Sequence, residues 1–188
     1  ILSANEIFLS ESSLVELAKA LVEAYEDWIL SQQASLNSLP SDLKQQAGKN
    51  IERCREAKAR ISEGLDYLLK NQDALKAFQL ANLVMRIQRQ WMEGQQDWRN
   101  PNGSDLVWRP FQFAFALMCL PSASERQHPD RETFDLIWFP TGGGKTEAYL
   151  LLSAYVLMLR RLRYREGGAN GLSVMMRYTL RTLTVQQY

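Results

Sequence analysis

The segment Thr141-Gly142-Gly143-Gly144-Lys145-Thr146 constrains this chain more than any other. It stands between the apolar run Phe134-Asp135-Leu136-Ile137-Trp138-Phe139 and a helical stretch from Thr146 to Arg163. Consecutive glycines let a backbone approach an anion closely and adopt positive φ. The amides of a loop entering a helix N-terminus point at such an anion. A lysine at this place reaches the β and γ phosphates of a nucleotide, and the following threonine hydroxyl can hold Mg²⁺. The expected cofactors are therefore ATP and Mg²⁺. Thr141, Gly142, Gly143, Gly144, Lys145 and Thr146 would form the binding loop, with Lys145 and Thr146 catalytic and Thr146 the Mg²⁺ ligand.

The surroundings of the loop predict an α/β fold. Phe134 to Phe139 is nearly continuous and apolar, as expected of a parallel strand covered on both faces. Gly167, Gly168 and Gly171 mark a turn, and Leu172 to Tyr178 is a second strand candidate. Strand, glycine turn, helix, turn and strand would make a right-handed βαβ unit. The first half reads as helices. Leu14, Leu17, Leu21, Tyr25 and Trp28 recur at three and four. Leu39-Pro40-Ser41-Asp42 punctuates, and Ile51, Cys54, Ala57, Ile61, Leu65 and Leu68 continue a spacing near 3.5, suited to an antiparallel helix pair. A third helix is predicted from Asn71 to about Met92, and a fourth over Arg109 to Leu120, opening at Pro110. A polar loop is expected from Pro121 to Asp130. The turn-rich stretch Arg99-Asn100-Pro101-Asn102-Gly103-Ser104 is the expected boundary between a helical region, 1–98, and a second unit, 99–188.

Composition excludes several classes. With 46% apolar residues and 22 basic against 21 acidic side chains, the 188 residues are not those of a disordered chain. The longest apolar stretch, Ala148 to Leu159, is broken by Ser153 and too short for a membrane span. Two cysteines, Cys54 and Cys119, suit a reducing compartment and buried thiols, so the expected location is cytoplasmic, with no membrane partner. The lone His128 is expected at the surface. The near-zero total hides an opposition. Residues 1–30 carry Glu6, Glu11, Glu16, Glu23, Glu26 and Asp27 against Lys19, whereas residues 160–188 carry Arg160, Arg161, Arg163, Arg165, Arg177 and Arg181 against Glu166. A basic strip of this kind attracts phosphate backbones, and the acidic half would be placed to cover it.

Two flanking motifs refine the reading. The generic phosphate loop has a glycine where this chain has Phe139; the shorter Pro-Thr-Gly-x-Gly-Lys-Thr form of superfamily 2 helicases and translocases resembles Pro140 to Thr146. Upstream, Trp108-Arg109-Pro110-Phe111-Gln112 resembles the Arg-Pro-Tyr-Gln that opens many superfamily 2 motor domains. The resemblance implies that Gln112 reads the adenine edge, with Arg109 near the base or phosphates and Phe111 packed beside the base. Downstream, Thr179-Leu180-Arg181-Thr182-Leu183-Thr184-Val185-Gln186 resembles helicase motif Ia, with Arg181, Leu183 and Gln186 in register. That likeness implies a nucleic-acid contact at Arg181, with Thr182 beside it.

Taken together with Thr146-Glu147-Ala148-Tyr149-Leu150 and Arg160-Arg161-Leu162-Arg163, these segments resemble the large helicases of the DISARM anti-phage defence system. The resemblance is carried by residues 108–188. It implies a P-loop RecA-like motor domain with a parallel sheet, ATP hydrolysis and a DNA partner, single-stranded or at a single-strand/duplex junction. It also implies a second protein of the same defence operon. No Asp-Glu box follows the second strand candidate, so 99–188 is expected to be the first part of such a domain, inactive by itself. A DNA-loading clamp that uses ATP without unwinding is the alternative expectation.

Overall fold

A computed structural model describes residues 2–94, 105–140, 142–164 and 170–177. Strand β1, Leu2–Ser3, leads into α1, Ala4–Leu9, whose N-cap is Ser3; its hydroxyl accepts the Glu6 amide. Ser10 caps α2, Glu11–Ser35, in the same way. A 3₁₀ turn at Leu36–Ser38 and Pro40 reverse the chain into α3, Ser41–Lys70. Asn71 then ends α3 and caps α4, Gln72–Met92, through its side-chain oxygen. These ends follow from residues whose short polar side chains satisfy first-turn amides. Strand β2, Val107–Trp108, precedes α5, Pro110–Ser124; α6 is Lys145–Arg163.

The expected α/β class is not what the described residues adopt. Their sheet is two-stranded and antiparallel, pairing Leu2 with Trp108 and Ser3 with Val107. Neither 134–139 nor 172–177 is a strand, and no parallel sheet or RecA-like layer is present among the described residues. The reason is visible in the burial. A parallel sheet needs helices over both faces, but here helices cover one side of the apolar run. Phe134, Leu136 and Trp138 are 100%, 81% and 88% exposed. The molecule is a helical assembly with a small antiparallel clasp. The helix from Pro110 also runs past its expected end: Pro121 is accommodated inside α5, which continues to Ser124.

One apolar core draws on α1 to α6. Ile7, Leu14, Leu68, Phe78, Phe113, Leu117, Leu151 and Tyr155 are fully buried in it. Phe78 on α4 sits at its centre, with ring centroids 6.0 Å from Phe113 and 6.2 Å from Tyr155. Trp108 is buried beside them. Its indole donates to Asn82 Oδ1 at 2.8 Å, and Asn82 donates to Phe78 O at 2.9 Å. Backbone adds a second tie from the clasp, Ala4 N to Leu106 O at 2.8 Å. Start of chain and start of α5 are thus fixed to one another and to α4. That placement sets where Arg109 to Gln112 emerge.

Candidate functional site

The glycine loop is built by three backbone requirements. Gly142 and Gly144 have φ of 77° and 87°, the left-handed region that side chains disfavour. At Gly143 a Cβ would lie 2.9 Å from Pro140 O, and at Gly144 it would lie 2.6 Å from Gln112 Nε2. Gly143 N donates to Pro140 O at 3.1 Å, closing the turn. The helix that follows has no side-chain cap, because its N-cap is Gly144. The first-turn amides of α6 therefore keep the capacity to meet an anion.

The segment upstream of α5 meets this loop. Arg109 Nη1 donates to Gly143 O at 3.0 Å, and Gln112 Nε2 donates to Gly144 O at 2.7 Å. Gln112 Oε1 accepts the Arg109 amide at 2.8 Å, so one buried amide both starts α5 and holds the loop. Phe111 stacks on Phe139, with centroids 3.9 Å apart and planes 16° from parallel. Four of the expected positions, Arg109, Gln112, Gly143 and Gly144, are thereby joined directly. Lys145 is half-buried and folds back over the loop, donating to Phe139 O and, at 3.2 Å, to Pro140 O. Thr146 follows it, half-buried, in the first turn. Beside it Glu147 Oε2 is buried without a hydrogen-bond partner, 3.4 Å from the place a Gly144 Cβ would occupy. Thr141, Arg181 and Thr182 lie outside the described residues.

An apolar groove of about 530 Å³ opens beside the stacked pair. Tyr25 and Trp28 of α2, Ile61 of α3, and Phe111, Phe115 and Phe139 line it. Three helices thus supply a non-polar wall within reach of the loop.

Residues that spacing does not single out hold the run leading into the loop. Arg60 of α3 makes a two-pronged contact with Asp135, at 2.6 and 2.9 Å, and its Nε lies 2.8 Å from Asp130. The Arg60 hydrogen bonds hold the Asp135 carboxyl below the usual aspartate range, against the opposing effect of burial. Cys119 Sγ donates to Asp135 at 3.5 Å, and burial raises that thiol well above its ordinary value. The one signal in the sequence was Asp135 itself, a charge inside an otherwise apolar run. His128, expected at the surface, is half-buried. Its ring accepts the Asp130 amide at 3.1 Å and lies 3.2 Å from Glu63. Nor does the charge opposition close on itself. Glu26 pairs with Lys58 and Arg163 with Glu125; no ion pair joins residues 1–30 to α6 among the described residues.

Fold and site together define a helical unit that carries a glycine-rich anion loop tied to the start of a neighbouring helix. No protein-family model matches the chain. It is similar to the DISARM protein DrmA of Bacillus paralicheniformis, with 37% identity over an alignment of 182 residues that covers 89% of this chain. The chain spans 16% of the length of that relative. Among the described residues no helix is long and apolar enough to cross a membrane.

Proposed function

We propose that this chain is the ATP-binding part of a superfamily 2 DNA helicase or translocase that serves DISARM-type anti-phage defence. The defence role is supported by the similarity to DrmA. The nucleotide reading is supported by one observation above others: Arg109 and Gln112 hydrogen-bond to Gly143 and Gly144 across more than thirty residues of sequence. The start of α5 is thereby joined to a loop whose positive φ angles and close contacts disfavour side chains.

In this reading the amides at the start of α6 would hold the triphosphate of ATP. Lys145, which donates to the carbonyls of Phe139 and Pro140, would hold the β and γ phosphates instead, exchanging neutral acceptors for charged ones. The residues fit a Mg²⁺ ion as well. Thr146 would supply its hydroxyl, and Glu147, one residue further along the first turn, has a buried carboxylate oxygen with no hydrogen-bond partner. Mg²⁺ would offset phosphate charge there. Gln112 keeps its carbonyl and one N–H in internal bonds, so its part includes coupling the base side of the site to the loop. The groove beside Phe111 offers the base an apolar face. Thr141, Arg181 and Thr182 complete the proposed site, the latter two on a DNA strand. The cytoplasm is the proposed location, and a second component of the defence system the proposed protein partner.

The test is ATP hydrolysis by the full-length protein, with and without single-stranded DNA, beside Lys145→Ala. DNA-stimulated turnover that the substitution abolishes is the expected outcome. Wild-type turnover by Lys145→Ala would sink the assignment of the loop.

A further inference from the structure

We propose that a second cleft, at the far end of α6 from the glycine loop, binds the phosphate backbone of a nucleic-acid strand. The cleft has a volume of about 410 Å³ and is lined by Arg126, Arg131, Arg160 and Arg163, with Leu159 in its floor and Tyr164 at its edge. It deepens the DNA reading above by giving the strand a place on the described residues. Arg160 and Arg163 stand near the opposite end of α6 from Lys145, roughly 23 to 27 Å along the axis at 1.5 Å per residue, so the triphosphate does not explain these arginines.

Backbone carbonyls help to set three of the four side chains in place, with the Glu125 carboxylate adding to the hold on Arg163. Arg131 Nη1 donates to Ser122 O at 2.7 Å and Ala123 O at 3.3 Å. Arg163 Nη1 donates to Ser124 O at 2.9 Å. Both thus dock on the C-terminal carbonyls of α5, the negative end of its dipole. Arg160 holds the returning chain through Asn170 O, Leu172 O and Ser173 Oγ, the latter two at 3.1 Å. A guanidinium has five N–H donors in a rigid fork, so carbonyls that take some of them orient the rest. Among the described residues no carboxylate lines the cleft. Glu125, next to it, is engaged by Tyr67 and by Arg163 at 2.8 Å, and those bonds hold its carboxyl below the usual range. Its charge therefore offsets Arg163, and among the described residues no ion pair engages the other three.

Such an arrangement differs from a solvated arginine face. Ordered guanidiniums lose little freedom when they meet an anion. Several in one groove fit a ligand with phosphates in series better than a single ion. Tyr164 is half-exposed at the edge and presents a ring on which a base can stack. Serial phosphates beside a stacking ring describe a single strand of nucleic acid.

The experiment is fluorescence anisotropy of a short labelled single-stranded oligodeoxynucleotide with the whole chain across a salt series. Arg126 is exposed, so Arg126→Glu preserves the fold. It is expected to weaken binding about tenfold and to lower the slope of log affinity against log salt by about 1. Tyr164→Ala is expected to weaken binding about fivefold with the slope unchanged. Unchanged affinity and slope in both variants overturn the proposal. Displacement of the strand by inorganic tripolyphosphate at equal phosphate concentration also overturns it, by assigning the cleft to a small anion. A fluorescent ATP analogue is titrated into the same proteins. Strand binding that is lost in the variants while the analogue binds none of them would uphold the cleft and reject the nucleotide reading; the reverse pattern would do the opposite.

Discussion

Asp135 shows how a single residue can decide the geometry ahead of a site. It interrupts an apolar run, and its carboxylate meets Arg60 from a helix 75 positions earlier in the chain. Because Arg60 holds its carboxyl below the ordinary aspartate value, the folded state binds a proton there less readily than the unfolded chain. Stability from the pair is then fully present above the unfolded value, near 4, and is lost as pH falls through the lower folded value. Asp135→Asn should therefore melt at a lower temperature than the parent at pH 7. The difference should shrink as pH drops below the usual aspartate range. Both partners keep some solvent contact, so the neutral-pH loss is about 1 kcal/mol. Thermal unfolding from pH 7 to pH 3 checks this; parallel curves for the two proteins would show that the pair contributes nothing. The same residue marks a limit of sequence reading. A charge inside an apolar run is visible, but its partner across 75 residues is not.

Elements were legible where periodicity or a cap spoke for them. The spacing of Leu14 to Trp28 and of Ile51 to Leu68 anticipates α2 and α3, and Asn71 marks the junction of α3 with α4. The apolar run 134–139 misled because continuity states that a segment is apolar, not that a second layer exists to cover it. Two-residue strands carry no period, so the β1–β2 clasp left no trace. Helix packing left one trace that is easy to misread. Gly48 and Gly64 both lie inside α3, where glycine is normally a weakness. At Gly48 an added Cβ meets nothing within 4 Å, whereas at Gly64 it would stand 1.9 Å from Leu117 O on α5. Gly48→Ala should raise stability by about 0.5–1 kcal/mol. Gly64→Ala should lower it by about 3 kcal/mol, because backbone cannot yield as a side chain can. Denaturant titration of the two variants decides the matter, and equal effects would mean that α3 and α5 do not approach as described.

At the scale of the molecule, the glycine loop hangs from a scaffold made by the whole chain. Residues after the expected boundary supply Phe113, Leu117, Leu120, Tyr155 and Leu159 to the core, and residues before it supply Ile7, Leu14, Ile61, Leu65, Leu68 and Phe78. Their contact is intimate, as the Phe78 ring against Phe113 and Tyr155 shows. A polar clamp adds to it on the outside: Tyr67 of α3 donates to Glu125 and accepts from Arg163 of α6 at 2.9 Å. Charge asymmetry suggested a cover over a basic strip, yet the helical region's visible work is to complete the core and, through Arg60, to pin the run into the loop. Residues 99–188 expressed alone would expose the apolar faces of α5 and α6. Fully burying one large apolar side chain contributes about 1.5–3 kcal/mol, and a domain's net stability is only about 5–15 kcal/mol. Losing the partners of five such side chains exceeds what the remainder can hold. That segment should accordingly show no cooperative thermal transition by circular dichroism, and it should bind a hydrophobic dye that the whole chain excludes. A sharp transition in 99–188 would instead establish that the loop-bearing part folds independently, and the helical region would then need another role.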